Sequence, residues 1–176
     1  PICRDGHVDV KLEDGTEKSI RIHEIHMEED AGKLIHDEWE DVSYVDYNRS
    51  GVPLIEIVSE PDMRNAEEVI AYLTKLRNTI QYLGASDCKL QEGSMRADVN
   101  LSVREKGSTE FGTRTETKNL NSFSSIQRAI EAETARQIDI IEAGGQVVQE
   151  TRRWNDDKEY SYATVSYTHL RAHETE

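Results

Sequence analysis

The 176-residue sequence has few of the residues that mark secreted or membrane proteins. It contains only two cysteines, Cys3 and Cys88, and neither has a second cysteine nearby. Isolated cysteines exclude a disulfide scaffold or a zinc knuckle and indicate a reduced, cytoplasmic setting. No segment approaches the roughly eighteen consecutive apolar residues that predict a membrane-spanning helix. The chain begins with Pro1 instead of Met, and we expect its natural start to lie upstream.

Basic residues are also scarce relative to acidic ones. The 35 acidic and 21 basic side chains give a net charge of −14, and the hydrophobic content is 36%. Such a charge argues against a protein that binds nucleic-acid phosphates over its whole surface, so any contact with nucleic acid must be local. The length fits one ordinary domain, or a piece of a larger one.

Three strands are predicted in the first third of the chain. Apolar residues alternate with polar ones over residues 7–12 and 19–23, which is the period of a half-buried β-strand. Asp14-Gly15 between these segments is a hairpin turn signal. The apolar run at residues 54–58 predicts a third and more deeply buried strand.

Two amphipathic helices follow. Apolar residues recur every three or four positions from Val69 to Leu83, with a capping box at Asn65 and Glu68 and a stop signal at Gly84. A second helix is predicted over residues 122–143, with these apolar side chains turned inward: Phe123, Ile126, Ile130 and Ile141.

Charged residues share one face of two further predicted strands. In residues 95–103 the polar face carries Arg96 and Asp98, and in residues 112–118 one face carries Arg114, Glu116 and Lys118. If these strands pair, they form one charged patch. With a last strand expected within residues 146–154, the chain is predicted to be an α+β fold dominated by antiparallel strands, with two helices against them.

The charged patch contains the groups that a hard cation needs. Mg²⁺ prefers oxygen ligands held on rigid elements, and the acidic run at residues 28–30 adds carboxylates to those of the patch. In a chain with 35 acidic residues, however, most carboxylates simply face water. From the residues alone, a metal site and a solvated acidic surface are both open.

Other motifs are less specific. The sequence contains no GxxxxGK[ST] or GxGxxG loop and no GxSxG elbow. Lys33 and residues 118–122 place a cation and small polar groups where a phosphate can be held, although an ordinary helix N-cap explains Asn121 and Ser122 equally well. Residues 152–154, Arg-Arg-Trp, offer either stacking on a nucleotide or, more simply, an exposed strand end.

Longer strings of residues carry a more specific signal. Five segments closely resemble the B subunit of aspartyl/glutamyl-tRNA amidotransferases, in that family's order: HMEEDAGK (26–33), DYNRSGVPLIEIVSEPD (46–62), EGSMRADVN (92–100), KNLNSF (118–123) and QETRRW (149–154). The resemblance covers roughly residues 1–155 and implies the family's cradle-like α+β catalytic domain.

The resemblance also implies a reaction. The family's B subunit uses ATP and Mg²⁺ to phosphorylate the side-chain carboxylate of Glu-tRNA(Gln) or Asp-tRNA(Asn), and ammonia then displaces the phosphate. An amidase subunit supplies the ammonia, a small third subunit wraps both, and the 3′ acceptor end of the misacylated tRNA is the substrate. A cytoplasmic ligase is therefore expected.

Nine residues of this chain are candidates for the site: the resemblance implies the metal ligands, and the residue patterns suggest the phosphate-binding groups. We expect metal ligands at Glu29, Asp98 and Glu116, with Glu28 as a weaker candidate. The residues expected to hold ATP phosphates or the acyl phosphate are Arg96 and Lys118 in the catalytic role, and Lys33, Asn119 and Asn121 in cofactor binding.

The family pattern extends beyond this chain at both ends. It implies a Glu-x-His metal-ligand pair upstream of Pro1 and tRNA-binding domains downstream, so residues 1–160 are expected to be the central part of the catalytic domain and inactive alone. Residues 167–175 resemble translated sequencing-adapter read-through, and we expect residues 161–176 to be a non-native tail.

Two alternatives remain from the sequence. The stretch can be a non-catalytic scaffold that docks the amidase subunit, in which case Asn or Gln would serve at positions 29, 98 and 116. It can also come from the archaeal relative specific for glutamate, which an inserted extra domain would mark.

Overall fold

The computed structural model describes residues 1–37 and 39–164, and their elements confirm the predicted α+β class. The elements in chain order are β1 Cys3–Lys11, β2 Glu17–Glu29, β3 Lys33–His36, β4 Ser43–Asp46, β5 Pro53–Ser59, α1 Ala66–Tyr82, β6 Val99–Leu101, β7 Thr115–Lys118, α2 Phe123–Glu142, β8 Thr151–Asn155 and β9 Tyr160–Ala163. Among these residues no helix is long and apolar enough to cross a bilayer. Of the predicted tail, residues 161–176, the first three residues belong to β9, and residues 165–176 lie outside the described residues.

The chain divides into two compact units, Pro1–Met63 and a second that begins at Arg64. Composition gave no sign of this boundary. The boundary lies in the short connection between β5 and α1, which is too brief to form a Pro-rich or Gly-rich linker.

The first unit is built on the antiparallel sheet β1-β2-β5. Its hairpin turns at the predicted place, where Gly15 has a φ of +86°, a conformation open to glycine. Val10, Ile20 and Ile22 form the buried side of this sheet, as the alternating pattern of the sequence requires.

One expectation for the first unit was wrong, and one of its hairpins was not predicted. The third strand, β5, ends the strand order of its sheet, and Ile55 is 56% exposed, so it is not the deeply buried strand that its apolar run suggested. Residues 33–46 form a further hairpin, β3–β4, that acidic composition concealed.

Helix α1 of the second unit begins and ends where the sequence predicts. The Asn65 side chain accepts a hydrogen bond from the Glu68 amide at 2.9 Å, and the Glu68 carboxylate accepts one from the Arg64 amide at 2.6 Å. The first bond satisfies an amide that the first helical turn leaves without a partner, and the second ties the residue before the N-cap to the helix. Gly84, with a φ of +68°, follows the helix end.

A four-stranded sheet in the order β6-β7-β8-β9 completes the second unit. β7 and β8 run parallel and are joined through α2, whereas the other two pairs are antiparallel. The core between helices and sheet contains Ala66, Leu120, Ile126, Ala129, Ile130 and Trp154, with Val99 and Leu101 packed against it.

Three details of the second unit differ from expectation. The polar strand is regular only over Val99–Leu101, and β8 begins at Thr151 instead of residue 146. The second helix has the predicted bounds, but Ile141 is 48% exposed because it lies in the last turn, away from the core that Ile126 fills.

The buried carboxylate of Glu133 connects α2 to β7 through hydrogen bonds. Glu133 is 2% exposed, and its Oε1 accepts hydrogen bonds from Thr115 Oγ1 at 2.7 Å and from Gln137 Nε2 at 2.9 Å. Arg136 donates to both Glu133 oxygens at 2.7 and 2.8 Å, and Arg152 Nε lies 3.4 Å from Oε2. The carboxylate is therefore paired and hydrogen-bonded, as a buried charge must be.

The surroundings of Glu133 favour its charged form. Burial raises the pKa of the carboxyl, but hydrogen bonds from Arg136, Gln137 and Thr115 outweigh burial and leave the pKa below its ordinary value of 4.5. The stabilisation that this pairing gives is complete above that ordinary value. It is lost as the pH falls through the lowered pKa of the folded state.

Truncation of Ile126 should lower the free energy of unfolding. Ile126 is 0% exposed, and Ile126→Ala is expected to cost about 2–5 kcal/mol because it leaves a cavity. Ile141→Ala, on the same helix but exposed, should change stability by no more than about 0.5 kcal/mol. Urea unfolding of the chain measures both, and equal costs would contradict the packing described.

Glu133→Gln should destabilise the chain in a pH-dependent way. At neutral pH we expect a loss of about 3 kcal/mol, since Arg136 and Arg152 lose their buried charge partner. The difference from the parent should shrink in acid, where the parent carboxylate becomes protonated. Glu131→Gln, at an exposed position of α2, is the control, and a pH-independent difference in urea unfolding would count against this account.

Candidate active site

The sheet of the second unit has one buried and one polar face. Thr115 and Thr117 are 0% and 2% exposed and face the helices, so the alternate residues of β7, Glu116 and Lys118, face the other way. Asn100 of β6 lies opposite Glu116 in the antiparallel ladder. The charged patch that the sequence predicted therefore exists on this face.

One lysine joins two carboxylates of the patch. Lys118 Nζ lies 2.6 Å from Asp98 Oδ2 and 3.3 Å from Glu116 Oε1. The three side chains, here called the Asp98–Glu116–Lys118 cluster, are between one third and one half exposed, with values of 45%, 32% and 47% in that order. A ligand can therefore reach charges that the sheet holds in place.

The lysine of the cluster stays protonated at neutral pH. Partial burial lowers the pKa of Lys118, but the hydrogen bond and charge of Asp98, with a smaller contribution from Glu116, outweigh burial and raise the pKa above its ordinary value of 10.5. The cluster thus combines two anionic groups with one permanent cation.

The neighbouring strand β8 extends the polar face. In the parallel ladder Thr151 lies opposite Glu116, and Arg153 lies opposite Lys118. Thr151 Oγ1 donates a hydrogen bond of 2.9 Å to Glu116 Oε2. The sequence did not predict that Thr151 and Arg153 lie beside the patch, because no local pattern shows which distant strand pairs with β7.

Two residues of the Arg-Arg-Trp segment, Arg152 and Trp154, have structural roles. Trp154 is 1% exposed, and its indole Nε1 donates to Asp156 at 2.9 Å, so the stacking interpretation is wrong. Arg152 is 8% exposed and pairs with Glu150 and Glu133. Because Arg152 and Trp154 are buried, the exposed strand end is also wrong, and only Arg153 faces outward.

Asn119 and Asn121 occupy the connection between β7 and α2. Asn119 has a φ of +68°; its Nδ2 donates to the Trp154 carbonyl at 3.0 Å and its Oδ1 accepts from Arg153 Nη2 at 3.3 Å. These contacts hold the turn that follows Lys118. Asn121 is exposed and directly precedes Ser122, the N-cap of α2.

The remaining predicted site residues lie in other places. Arg96 is exposed and precedes Asp98 by two positions. Glu28 and Glu29 end β2 of the first unit, opposite Leu54 and Pro53, and Lys33 begins β3 of that unit. The nine predicted residues are thus divided between the units, and the structure brings Asp98, Glu116 and Lys118 together.

The donor chemistry of the cluster suits a hard divalent cation. Among residues 1–37 and 39–164, no three His, Cys, Asp or Glu side chains are grouped for metal binding. Asp98 and Glu116 nevertheless lie close enough together for both to contact the same ammonium nitrogen, Lys118 Nζ. Mg²⁺ is commonly held in proteins by one or two carboxylates together with water and substrate phosphates. The Asp98–Glu116–Lys118 cluster fits that pattern.

Comparison with known proteins places the chain in a family. The family described as the GatB/GatE catalytic domain matches residues 1–172. The B subunit of the aspartyl/glutamyl-tRNA(Asn/Gln) amidotransferase of Lachnospira eligens is 90% identical over 94% of this chain, and the protein of the same name from Agathobacter rectalis is 74% identical over 94%.

A third relative of that name, from Caldicellulosiruptor saccharolyticus, is 63% identical over 90% of this chain. The chain covers 34%, 35% and 33% of the length of these three relatives, about one third of each. The fold class and the five matching segments agree with these similarities. The chain belongs to the GatB/GatE catalytic domain family.

Proposed function

We propose that this chain is the central part of the catalytic domain of the B subunit of a tRNA-dependent amidotransferase, and that the Asp98–Glu116–Lys118 cluster is part of its ATP-dependent activation site. The observation that carries the proposal is that Lys118 of β7 contacts both Glu116 of the same strand and Asp98, which directly precedes β6. Membership of the family supports the reaction class.

The proposed reaction has two steps. An oxygen of the substrate's side-chain carboxylate attacks the γ-phosphorus of ATP, ADP leaves, and an acyl phosphate forms. Ammonia then attacks the acyl carbon and phosphate leaves, which produces the amide of Gln-tRNA or Asn-tRNA. A carboxylate is a poor electrophile, so activation is required before an amine can displace an oxygen from it.

The side chains of the cluster are proposed to bind the metal ion and a phosphate oxygen. Asp98 and Glu116 would hold Mg²⁺, and Glu28 and Glu29 of the first unit are separately proposed as metal ligands. When bound, Mg²⁺ neutralises phosphate charge during phosphoryl transfer. Lys118, which stays protonated, is proposed to bind a phosphate oxygen, and Arg96 is proposed to assist it.

Cofactor and partner contacts complete the proposal. Lys33, Asn119 and Asn121 are proposed to contact ATP. In the complete protein we propose an amidase subunit and a small third subunit as partners, and the 3′ end of a misacylated tRNA as the substrate. The net charge of −14 fits a catalytic segment that touches tRNA only locally.

Loss of either carboxylate of the cluster should weaken Mg²⁺-dependent ATP binding. In the full-length subunit within its assembled complex, Asp98→Asn and Glu116→Gln are each expected to raise the dissociation constant more than about tenfold. Isothermal titration calorimetry with and without Mg²⁺ measures this. Asp87→Asn is the control, because Asp87 also lies beside a lysine, Lys89, but in a loop. Unchanged binding in both cluster variants would assign the metal to other residues.

Removal of the Lys118 ammonium should slow the reaction. Lys118→Ala is expected to lower kcat by on the order of 100-fold in the assembled complex, which is the usual cost of losing one donor to developing charge. Lys89→Ala is the matched control, since Lys89 Nζ also lies between two carboxylates, 3.5 Å from Asp87 and 3.0 Å from Glu92. Equal rates for the Lys118 variant and the parent would rule out this role.

A further inference from the structure

Thr151 lies directly beside the Asp98–Glu116–Lys118 cluster, on a strand that the sequence does not link to it. Its Cα is the ladder partner of Glu116 in the parallel pair β7–β8. The Glu116 amide donates to the carbonyl of the preceding residue, Glu150, at 3.0 Å. The backbones that carry the two side chains are therefore joined at this point.

The two oxygens of Glu116 have different partners. Oε2 accepts the hydrogen bond from Thr151 Oγ1 at 2.9 Å, whereas Oε1 lies 3.3 Å from Lys118 Nζ. The terminal torsion of a glutamate is broad, so one contact leaves the carboxylate plane able to turn. Contacts at both oxygens fix that plane.

The backbone of Thr151 is itself held firmly. The next residue, Arg152, is 8% exposed, and it donates to the Ser161 hydroxyl at 2.8 Å and to the Ser161 carbonyl at 2.6 Å. Its guanidinium also lies 3.4 Å from the buried Glu133. A displacement of Thr151 would strain these buried contacts, so its hydroxyl is a rigid support for Glu116.

We infer that Thr151 is a positioning residue that holds the Glu116 carboxylate in the orientation needed for divalent cation binding. The inference rests on the proposed function, in which Glu116 is a metal ligand. Hydrogen-bonding partners of metal ligands raise affinity by fixing ligand orientation, and their loss typically costs about 10–100-fold in metal affinity or activity. Thr151 has the position of such a partner.

Thr151→Val tests this role, since valine keeps the β-branched shape and removes the hydroxyl. In the full-length subunit within its assembled complex, Mn²⁺ serves as the probe, and electron paramagnetic resonance measures its binding without ATP. We expect binding about 10–100-fold weaker than in the parent, and a similar rise in the Mg²⁺ concentration for half-maximal activity. Thr151→Ser, which restores the hydroxyl, should recover most of the lost affinity.

Thr117→Val is the matched control. Thr117 lies on β7 between Glu116 and Lys118, and its buried Oγ1 has no hydrogen-bond partner among the described residues. The same substitution there removes a hydroxyl that contacts neither carboxylate, so Mn²⁺ binding should be unchanged. Thermal unfolding of each complex checks integrity, and Thr151→Ala replaces the valine variant if that variant fails to assemble.

Glu116→Gln separates failure of this inference from failure of the proposed function. If Glu116→Gln weakens Mn²⁺ binding and Thr151→Val does not, the metal role of Glu116 stands and the positioning role of Thr151 is overturned. If Glu116→Gln leaves Mn²⁺ binding unchanged, the proposed ligand role fails, and the inference fails with it. Parallel losses in both variants, with recovery in Thr151→Ser, support the inference.

Discussion

The second unit depends on the parallel pairing of β7 with β8, which α2 makes possible by connecting them. The side chains of a strand alternate between the two faces of the sheet. The pairing of β7 with β8 therefore determines the neighbours of the residues on both faces. On one face, Thr115 reaches the buried Glu133 of α2. On the other face, Glu116 contacts Thr151 and Lys118. The polar network that secures the helix thus also determines where the cluster lies.

The buried charge of Glu133 makes the pairing of β7 with β8 more specific. Glu133 would be costly without partners, and arginines from two elements, Arg136 of α2 and Arg152 of β8, lie beside it. An apolar residue at position 133 needs no hydrogen-bond donors, whereas a buried carboxylate needs its donors at defined positions. The register of β8 against β7 is therefore tied to the pairing of Glu133, and Thr151 is placed opposite Glu116 by the same register.

Features of the sequence that act over short distances predicted the structure well. The N-cap Asn65, the hairpin glycine and the alternation around Glu116 each depend on neighbours within a few positions, and all were found as expected. Ser122 is an N-cap, which was one of its two open interpretations. A charged patch containing Asp98 and Lys118 followed once two polar strands were assumed to pair, but the contact between these two side chains was not predicted.

Features that depend on distant partners could not be predicted in this way. Thr151 is 35 positions from Glu116 in the chain, and nothing in its own neighbours indicates a parallel partner. Ile141 matches the helical period but lies in the last turn of α2, where no core faces it, so its exposure depends on tertiary structure. The long strings shared with the family supplied the reaction class, which composition and period alone left open.

The ammonium of Lys118 has a consequence for assembly. A carboxylate on β7 and one directly before β6 repel each other and oppose the pairing of these strands, but a cation of the same chain lies between Asp98 and Glu116. Lys118 is an internal counter-ion, so β6 and β7 can pair without any metal present. Many metal sites form only as their ion binds and make folding depend on ion supply. Here Lys118 lets the sheet form first, so its folding need not wait for the proposed cation.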